Sequence, residues 1–529
     1  MKKVYTMILS LVVIALLSAC RNEFDFEEHY PGGEIKKEYA DNWVKQMGEI
    51  DPNQDWSLAG EYCVTVDVPG EDDVKVYALG TDGVYQLVGE YFGVSGLAKL
   101  IIDAEKGTEK LLVTIGGIPF ETVVGGVVSP NTQTRSVENG TLVTNPDKWK
   151  YFKGSDITKW LDKCSSLLDF LRSDVKPNYS YVASTNKIVV YPLYWKTNQT
   201  DEVGIYYESN NRTNYYPVFK TNGGAELEYK NGSSWAACGT NNSTKNNKST
   251  TEYCSKGIEV TLPAGCNSFG LYVKHGGVTI HSDNSKNWGL IKCANFTVDN
   301  KQYVSLGDKI DFGIGDIILQ VEGAFPIDNS LKSWIIACED LGSTGDYDFN
   351  DLVLKFEKKV EGTSYNPSYI LRITPLAAGG TLRAVCKLGN DLIGEVHELL
   401  GAGTPVSQGR YLMINTNAPQ GQGVDGKTAT AWVKNYTKDF SISEELKKFT
   451  IEVGSVSPVI VSSPETGKAP QMIIVPEGWS WTKEQVDIRD AYHGFENWSS
   501  DATNTEWTSH KAKDGNGNLC PFFYEAPNR

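Results

Sequence analysis

From residue 62 to residue 360 the chain is cut into short apolar runs separated by glycine, asparagine and aspartate. In the first block these are "CVTVDV" (63–68), "VKVYALG" (74–80), "VYQLVGEYF" (84–92), "KLLVTI" (110–115) and "ETVVGGVV" (121–128). From residue 186 the pattern resumes with "KIVVYPLYW", "DEVGIYYE", "IEVTLPAG", "SFGLYVKH", "YVSLGD", "DIILQVEG", "SWIIACED" and "LVLKFEKKV". Val-rich and Tyr-rich runs bounded by turn residues read as strands. Their spacing fits antiparallel sandwiches with long loops at one end. The expected fold is mainly β, with several antiparallel β-sandwich domains and one or two short docking helices.

Helical periodicity is rare. Ile157, Trp160, Leu161, Cys164, Leu167, Leu168 and Leu171 recur at three- and four-residue spacing between Asp156, a fitting N-cap, and Pro177. A second, shorter amphipathic helix is expected within residues 39–58, ended by Asp51-Pro52. Near the C-terminus Thr482 and Gln485 fit a capping box, with Val486, Ile488 or Arg489, and Tyr492 tracing a third. At 529 residues the prior is three or four domains. The division is 1–20 signal peptide, 21–60 tether and short helix, and 61–140 N-terminal β-domain. Then come 141–185 helical connector, 186–324 central β-sandwich, 325–510 C-terminal β-domain and 511–529 tail.

The first twenty residues address the chain. Lys2 and Lys3 precede "VYTMILSLVVIALL", an apolar core too short and too early for a stable membrane span. "LSAC" follows, with small Ser18 and Ala19 before Cys20. It resembles the bacterial lipobox, in which the cysteine becomes the lipidated first residue of the mature protein; several acyl chains there suffice for stable anchoring. The alternative is an ordinary secretory signal with a chance cysteine. "RNEFDFEE" just after it resembles the acidic tags of lipoproteins sent to the outer face of the outer membrane, or is a solvated tether. The expected location is the outer membrane, lipid-anchored and displayed at the cell surface. Nine further cysteines lack any CxxC pair, which speaks against a zinc knuckle. Cys238, Cys254, Cys266 and Cys293 fall in one region and either pair or remain buried thiols.

Net charge is −16, from 50 basic and 66 acidic residues. Nucleic acid and anionic lipid heads are bound through basic surface, so neither is expected as a partner. Divalent cations and neutral glycans stay compatible. The densest oxygen cluster is "EDLGSTGDYDFND" (339–351), with Glu339, Asp340, Asp346, Asp348, Asn350 and Asp351 wedged between "WIIAC" and "LVLKF". Like charges at this spacing repel unless something offsets them. Calcium takes six to eight oxygens, and Asp346, Asp348 and Asn350 alternate as in the start of a calcium loop. Position six from Asp346 is Asp351 rather than glycine, and the residues after it are strand-like, so this is no EF-hand and Glu357 is discounted as a ligand. The competing reading is that these side chains cap turns through Asx hydrogen bonds. Tyr347 and Phe349, between the acidic positions, are expected in the core.

Two stretches together carry a family resemblance. "EDLGSTGDYDFNDLVLKFE" (339–357) resembles the acidic signature of the LruC-type domain of bacterial surface lipoproteins. "PEGWSWTKEQVDIRDAYHGFENWS" (476–499) resembles that family's closing segment. The likeness covers about residues 325–505, and Gly342 stands where the family usually has a bulky residue. The strand "FGLYV" followed by the acidic signature (258–357) is also similar to domains proposed to bind calcium and to be lectin-like. The LruC-type family has no settled biochemical role, so that resemblance implies a location more than a task.

"HSDNSKNW" (281–288) offers Asp283, Asn284 and Asn287 beside Trp288, a set suited to sugar contact or simply a polar loop with one anchoring tryptophan. "GQGVDGKT" (421–428) matches a phosphate-binding loop by letter. It lacks the preceding tight strand turn and is followed by β-branched and aromatic residues rather than a helix, so no nucleotide is expected. There is no HExxH and no GxSxG, and His275 and His281 need not converge. The reading is a non-catalytic binding protein, adhesin-like or glycan-binding, with calcium shaping the acidic loop. A structural subunit of a surface assembly is the competing class, and a glycan hydrolase the third.

Overall fold

The computed structural model describes residues 33–130, 142–143 and 177–524. Excepted are 196–199, 210–211, 222–225, 232, 241–256, 263–265, 267, 299–300, 309–313, 342–344, 364–365, 407–408, 417–422, 425–428 and 456–457. Cys20, the acidic tether and the expected helix at 154–177, apart from Pro177, therefore lie outside the described residues, as does the 421–428 loop apart from Gly423–Val424.

The chain is mainly β, in several antiparallel sheets with few short helices. Ala59–Leu79 and Tyr85–Glu105 form one long hairpin, registered from Ala59↔Glu105 to Leu79↔Tyr85. Alternation buries Val64, Val66 and Val68 on one face. Register shifts around Glu71 and Asp72 re-aim the strand, and Val74 and Val76 then continue the buried row. Ala324–Asp328 pairs in parallel with this hairpin (Ile327↔Tyr85) and antiparallel with Tyr179–Ala183, so the N-terminal and central parts share a thirteen-stranded sheet. In the central part that sheet closes on a six-stranded one over Trp195, Ile205, Phe219, Val260, Leu271 and Leu319.

The C-terminal part pairs a five-stranded sheet with a four-stranded one. In the first, Trp334–Cys338 lies between Leu352–Thr363 and Met472–Pro476. All five of its residues are buried, as a strand covered on both faces requires. One layer of that cover comes from far away in sequence. The helix Gly33–Met47 places Tyr39, Trp43 and Met47 in this core, four residues apart along one face. It starts and ends earlier than the 39–58 segment expected for it. Gly48 takes φ +85° and donates its N–H to Val44 O at 3.1 Å, the left-handed cap that stops a helix. The next residues are also built in, since Leu58 N donates to Ile474 O and Ile474 N donates to Trp56 O.

Residues 511–524, expected as a tail, belong to the same domain. Phe523 is buried and bridges to Thr482, and Lys511 bridges to Tyr492. Cys266 and Cys293 are buried free thiols, and no disulfide forms among the described residues. No helix among them is long and apolar enough to cross a membrane.

Candidate metal centre

Residues 339–351 leave the buried strand Trp334–Cys338 and re-enter the sheet at Leu352. The loop folds by alternating backbone hands, with Leu341 at φ 60°, Tyr347 at φ 43° and Phe349 at φ 50°. A left-handed non-glycine residue costs about 1–3 kcal/mol, so these three need compensation. Part of it is aromatic. Tyr347 and Phe349 are fully buried, as expected, their rings 5.1 and 6.3 Å from that of Trp43.

The intervening acidic side chains converge elsewhere. Glu339 is fully buried; its Oε1 accepts from Phe349 N at 2.8 Å, while Oε2 has no hydrogen-bond donor. Asp348 is buried and accepts from Gln485 N at 2.8 Å and Asn350 Nδ2 at 3.0 Å. Asn350 is fully buried, donates also to Thr482 O at 3.3 Å, and leaves Oδ1 without a donor. Asp340 N donates to Asp351 Oδ2 at 2.7 Å, tying the two ends of the loop.

A carboxylate not singled out from sequence completes the group. One oxygen each of Asp346, Asp348 and Glu484 lies within 4.8 Å of the others. Oxygens bound 2.3–2.6 Å from one calcium ion span up to about 5 Å, so these three match a shared cation. Glu484 Oε2 also has no donor. The Thr482–Gln485 stretch therefore does not cap a helix. Thr482 Oγ1 donates to Asp348 O at 2.6 Å, Gln485 sits at φ 64°, and the helix begins later, at Ile488–Ala491, capped by Asp487.

Two glycines also escaped the sequence pattern. Gly379 and Gly380 donate their N–H groups to Asn350 O and Asp351 O at 3.0 and 3.3 Å. A Cβ on Gly379 would collide with Asn350 Oδ1 and stand 2.9 Å from Glu484 Oε2. One on Gly380 would collide with Asp340 Oδ2 and stand 3.2 Å from Asp351 Oδ1. The "AAGG" turn is thus a wall pressed against the acidic groups, and only glycine leaves room for their oxygens.

Burial and mutual repulsion raise these carboxyl groups. Burial first, and then Glu484 and Asp346, push Asp348 up to about 8. Burial, then Asp346 and Asp340, push Glu484 up to about 7. Glu339 is raised well above the carboxylate range by burial and then by Asp348 and Asp346, and Asp351 by burial, Asp340 and Glu339. The charges acting on all four are other carboxylates. A divalent cation inverts this logic, because its charge stabilises the ionised forms. The donors are oxygen throughout, which suits calcium rather than a soft metal. Of the six residues expected from sequence, Asp346 and Asp348 lie in the group with Glu484, and Glu339, Asp340, Asn350 and Asp351 lie in the same loop. Asp346, Asp348 and Asn350 face Glu484, and Glu339, Asp340 and Asp351 line the flank. Glu357 lies on the following strand and pairs with Lys355 at 3.0 Å, away from the group.

In the 281–288 loop the polar side chains are bonded locally, which fits the polar-loop alternative. Asp283 caps the short turn Asn284–Lys286 by accepting from Ser285 N at 3.0 Å. Asn284 Oδ1 accepts from Lys292 N and Cys293 N at 2.6 and 3.0 Å, and its Nδ2 donates to Cys293 O. Asn287 grips both backbone groups of His281, at 2.9 and 2.7 Å. All three are buried, with their polar atoms bonded within the loop and to Lys292 and Cys293 just after it, so they do not form a sugar-binding set; of the four candidates only Trp288 faces solvent, 65% exposed. The two histidines do not converge. His275 Nδ1 meets Asp201, and His281 Nε2 meets the Tyr215 hydroxyl at 2.8 Å.

No family model matches the chain. No curated protein matches it. Among solved structures, a protein from Bacteroides ovatus described as a "Putative lipoprotein" aligns with 66% of this chain and 100% of its own, at 11% identity and a TM-score of 0.24. A likeness of that size carries neither fold nor function across.

Proposed function

We propose that the chain is a lipid-anchored bacterial surface protein that binds rather than catalyses, and that calcium holds its acidic loop. The lipobox at Cys20 and the paired motifs of the LruC-type domain support the location. One observation carries the metal. Three buried acceptors, Glu339 Oε2, Asn350 Oδ1 and Glu484 Oε2, lack any donor among carboxylates that repel one another. Buried polar atoms without partners are rare in native proteins and cost about 1–3 kcal/mol each. A cation offsets that cost. A glycan is the favoured ligand class. A cleft of about 570 Å³ between the N-terminal hairpin and the central sandwich is lined by Glu71, Asp72, Asp73, Thr114, Ser268 and Asn329, groups that pair with hydroxyls.

Thermal unfolding of the chain from residue 21, with calcium and with chelator, tests the metal. A calcium-dependent rise in Tm is expected, and it should vanish in an Asp346→Ala/Asp348→Ala variant. No rise at millimolar calcium would return the loop to turn chemistry.

A scaffold role has one observation in its favour. Leu97 and Val127 are 75% and 67% exposed, and Ile101 is exposed beside them. The pairings Asp67↔Leu97, Cys63↔Ile101 and Thr65↔Val127 place all three on one face of the N-terminal sheet. If that face joins subunits, Leu97→Asp/Val127→Asp would dissociate the assembly in analytical ultracentrifugation. A wild-type chain that stays monomeric at high concentration argues against this reading.

A further inference from the structure

The acidic loop is joined mechanically to the helix nearest the membrane anchor. Between the ligand positions Asp346, Asp348 and Asn350 stand Tyr347 and Phe349, and both rings are the floor on which Gly33–Met47 lies. The Tyr347 ring is 5.4 Å from that of Tyr39 and 5.1 Å from that of Trp43. Phe349 contacts Trp43 on one side and Phe495, at 6.0 Å, on the other. The same closing segment that supplies Glu484 also grips the loop and the helix. Ile488 N donates to Tyr347 O at 2.9 Å, and Arg489 Nη1 donates to Gln46 O at 2.9 Å. Beyond the rings and Arg489, the Tyr39 hydroxyl donates to Pro470 O at 2.7 Å.

We propose that a cation bound by Asp346, Asp348 and Glu484 is the latch that keeps the helix Gly33–Met47 docked, and that its loss frees the helix and lengthens the tether from Cys20. This rests on the metal and lipid-anchor readings above. The coupling is geometric. In this loop a ring residue sits between each pair of acidic or amide residues and is held at positive φ. Repulsion that separates the carboxylates must therefore rotate the backbone that presents Tyr347 and Phe349. A helix of 15 residues is marginal in water without its packing face. Docked, it is about 22 Å long; released and extended, the same residues reach about 50 Å. Calcium outside the cell would set how far the protein stands from the membrane.

Hydrogen exchange of the mature chain, with calcium titration by calorimetry on the same sample, tests this. Amides of residues 37–47 should exchange roughly tenfold faster or more in chelator than in calcium, a usual size for coupling between sites. Those of the central strand Ser268–His275 should not change. Reciprocity supplies the second arm, because undocking the helix must weaken calcium by the same factor. Trp43→Phe, which loosens the helix without emptying its seat, should therefore lower calcium affinity. Calcium binding with unchanged exchange of the helix and unchanged affinity in Trp43→Phe would overturn the latch and leave the metal site standing. Absence of calcium binding would overturn both.

Discussion

Two loops of this protein use aspartate and asparagine in opposite ways, one with a single acidic residue beside a lysine and the other with five acidic residues and no base. Residues 281–288 and 339–351 both mix aspartate and asparagine with one or two aromatic residues. In the first, Asp283 and Asn287 spend polar atoms on backbone groups of the same loop, and Asn284 on those of Lys292 and Cys293 just after it. In the second, Glu339, Asn350 and Glu484 each bury an oxygen with no donor. The difference lies in the supply of hydrogens. A turn brings its own N–H groups to its side chains, whereas the acidic loop collects acceptors from three segments and leaves the remaining donor to be an ion.

Removing charge without removing shape should separate the two loops most. In Asp348→Asn/Glu484→Gln each side chain keeps an oxygen that can accept. With calcium a hundredfold above its dissociation constant, the wild type gains about 2.7 kcal/mol, and the variant should lose most of that gain. In chelator the order should reverse, with the variant more stable, because like-charge repulsion has been relieved. Denaturant unfolding in both conditions checks the sign. A variant equally destabilised in both would place the acidic loop in the same class as 281–288.

The matched experiment on the other loop is Asn284→Ala. It strips the acceptor from two buried N–H groups, Lys292 and Cys293. The expected cost is about 1–3 kcal/mol, the same with calcium and with chelator. Any calcium dependence here would erase the distinction between the loops.

The β class and the acidic cluster were legible because each depends on residues close in sequence. Alternating Val64, Val66 and Val68 declare a half-buried strand locally. Glu484 was not legible, since what makes it a ligand is its approach to Asp346 and Asp348 across more than a hundred residues. Gly379 and Gly380 were hidden for the same reason. Their requirement is set by side chains of Asp340 and Asn350 rather than by a turn of their own. The first helix was misplaced because residues 33–38, polar and glycine-flanked, resemble a tether until Tyr39 and Trp43 find Tyr347. In the 281–288 loop both a sugar-contact set and a plain polar loop were open from sequence, because spacing does not show that these oxygens are already bonded in space.

A gentler handle on the acidic loop is pH. Unfolded carboxyl groups titrate near about 4, while the folded, metal-free loop holds Asp348 at about 8 and Glu484 at about 7. Between those limits the native state binds protons that the unfolded chain has released, so metal-free stability falls as pH rises through the window. Calcium competes with the same protons, so the Tm increment it produces should grow from pH 5 to pH 8. In chelator the Tm should decline over that range. A rise in chelator would mean that the carboxylates are already ionised and balanced.

A still finer test concerns Trp288, whose ring the 281–288 loop leaves in solvent. Trp288 is held at φ 51° and is 65% exposed, so its backbone is unfavourable and its ring gains little from burial. Left-handed backbone costs a side-chain-bearing residue about 1–2 kcal/mol relative to glycine. Trp288→Ala keeps that cost and should shift stability by no more than about 0.5 kcal/mol, as exposed substitutions do. Trp288→Gly removes it and should be more stable than the alanine variant by about 1 kcal/mol, measured as a difference in denaturation midpoint. If glycine brings no gain, the loop's side-chain bonds to Asn284 and Asn287 already impose the left-handed turn at no net cost. If it does, the protein keeps an exposed tryptophan where glycine would fold better. A glycan array comparing wild type with Trp288→Ala then asks whether binding is what keeps it there.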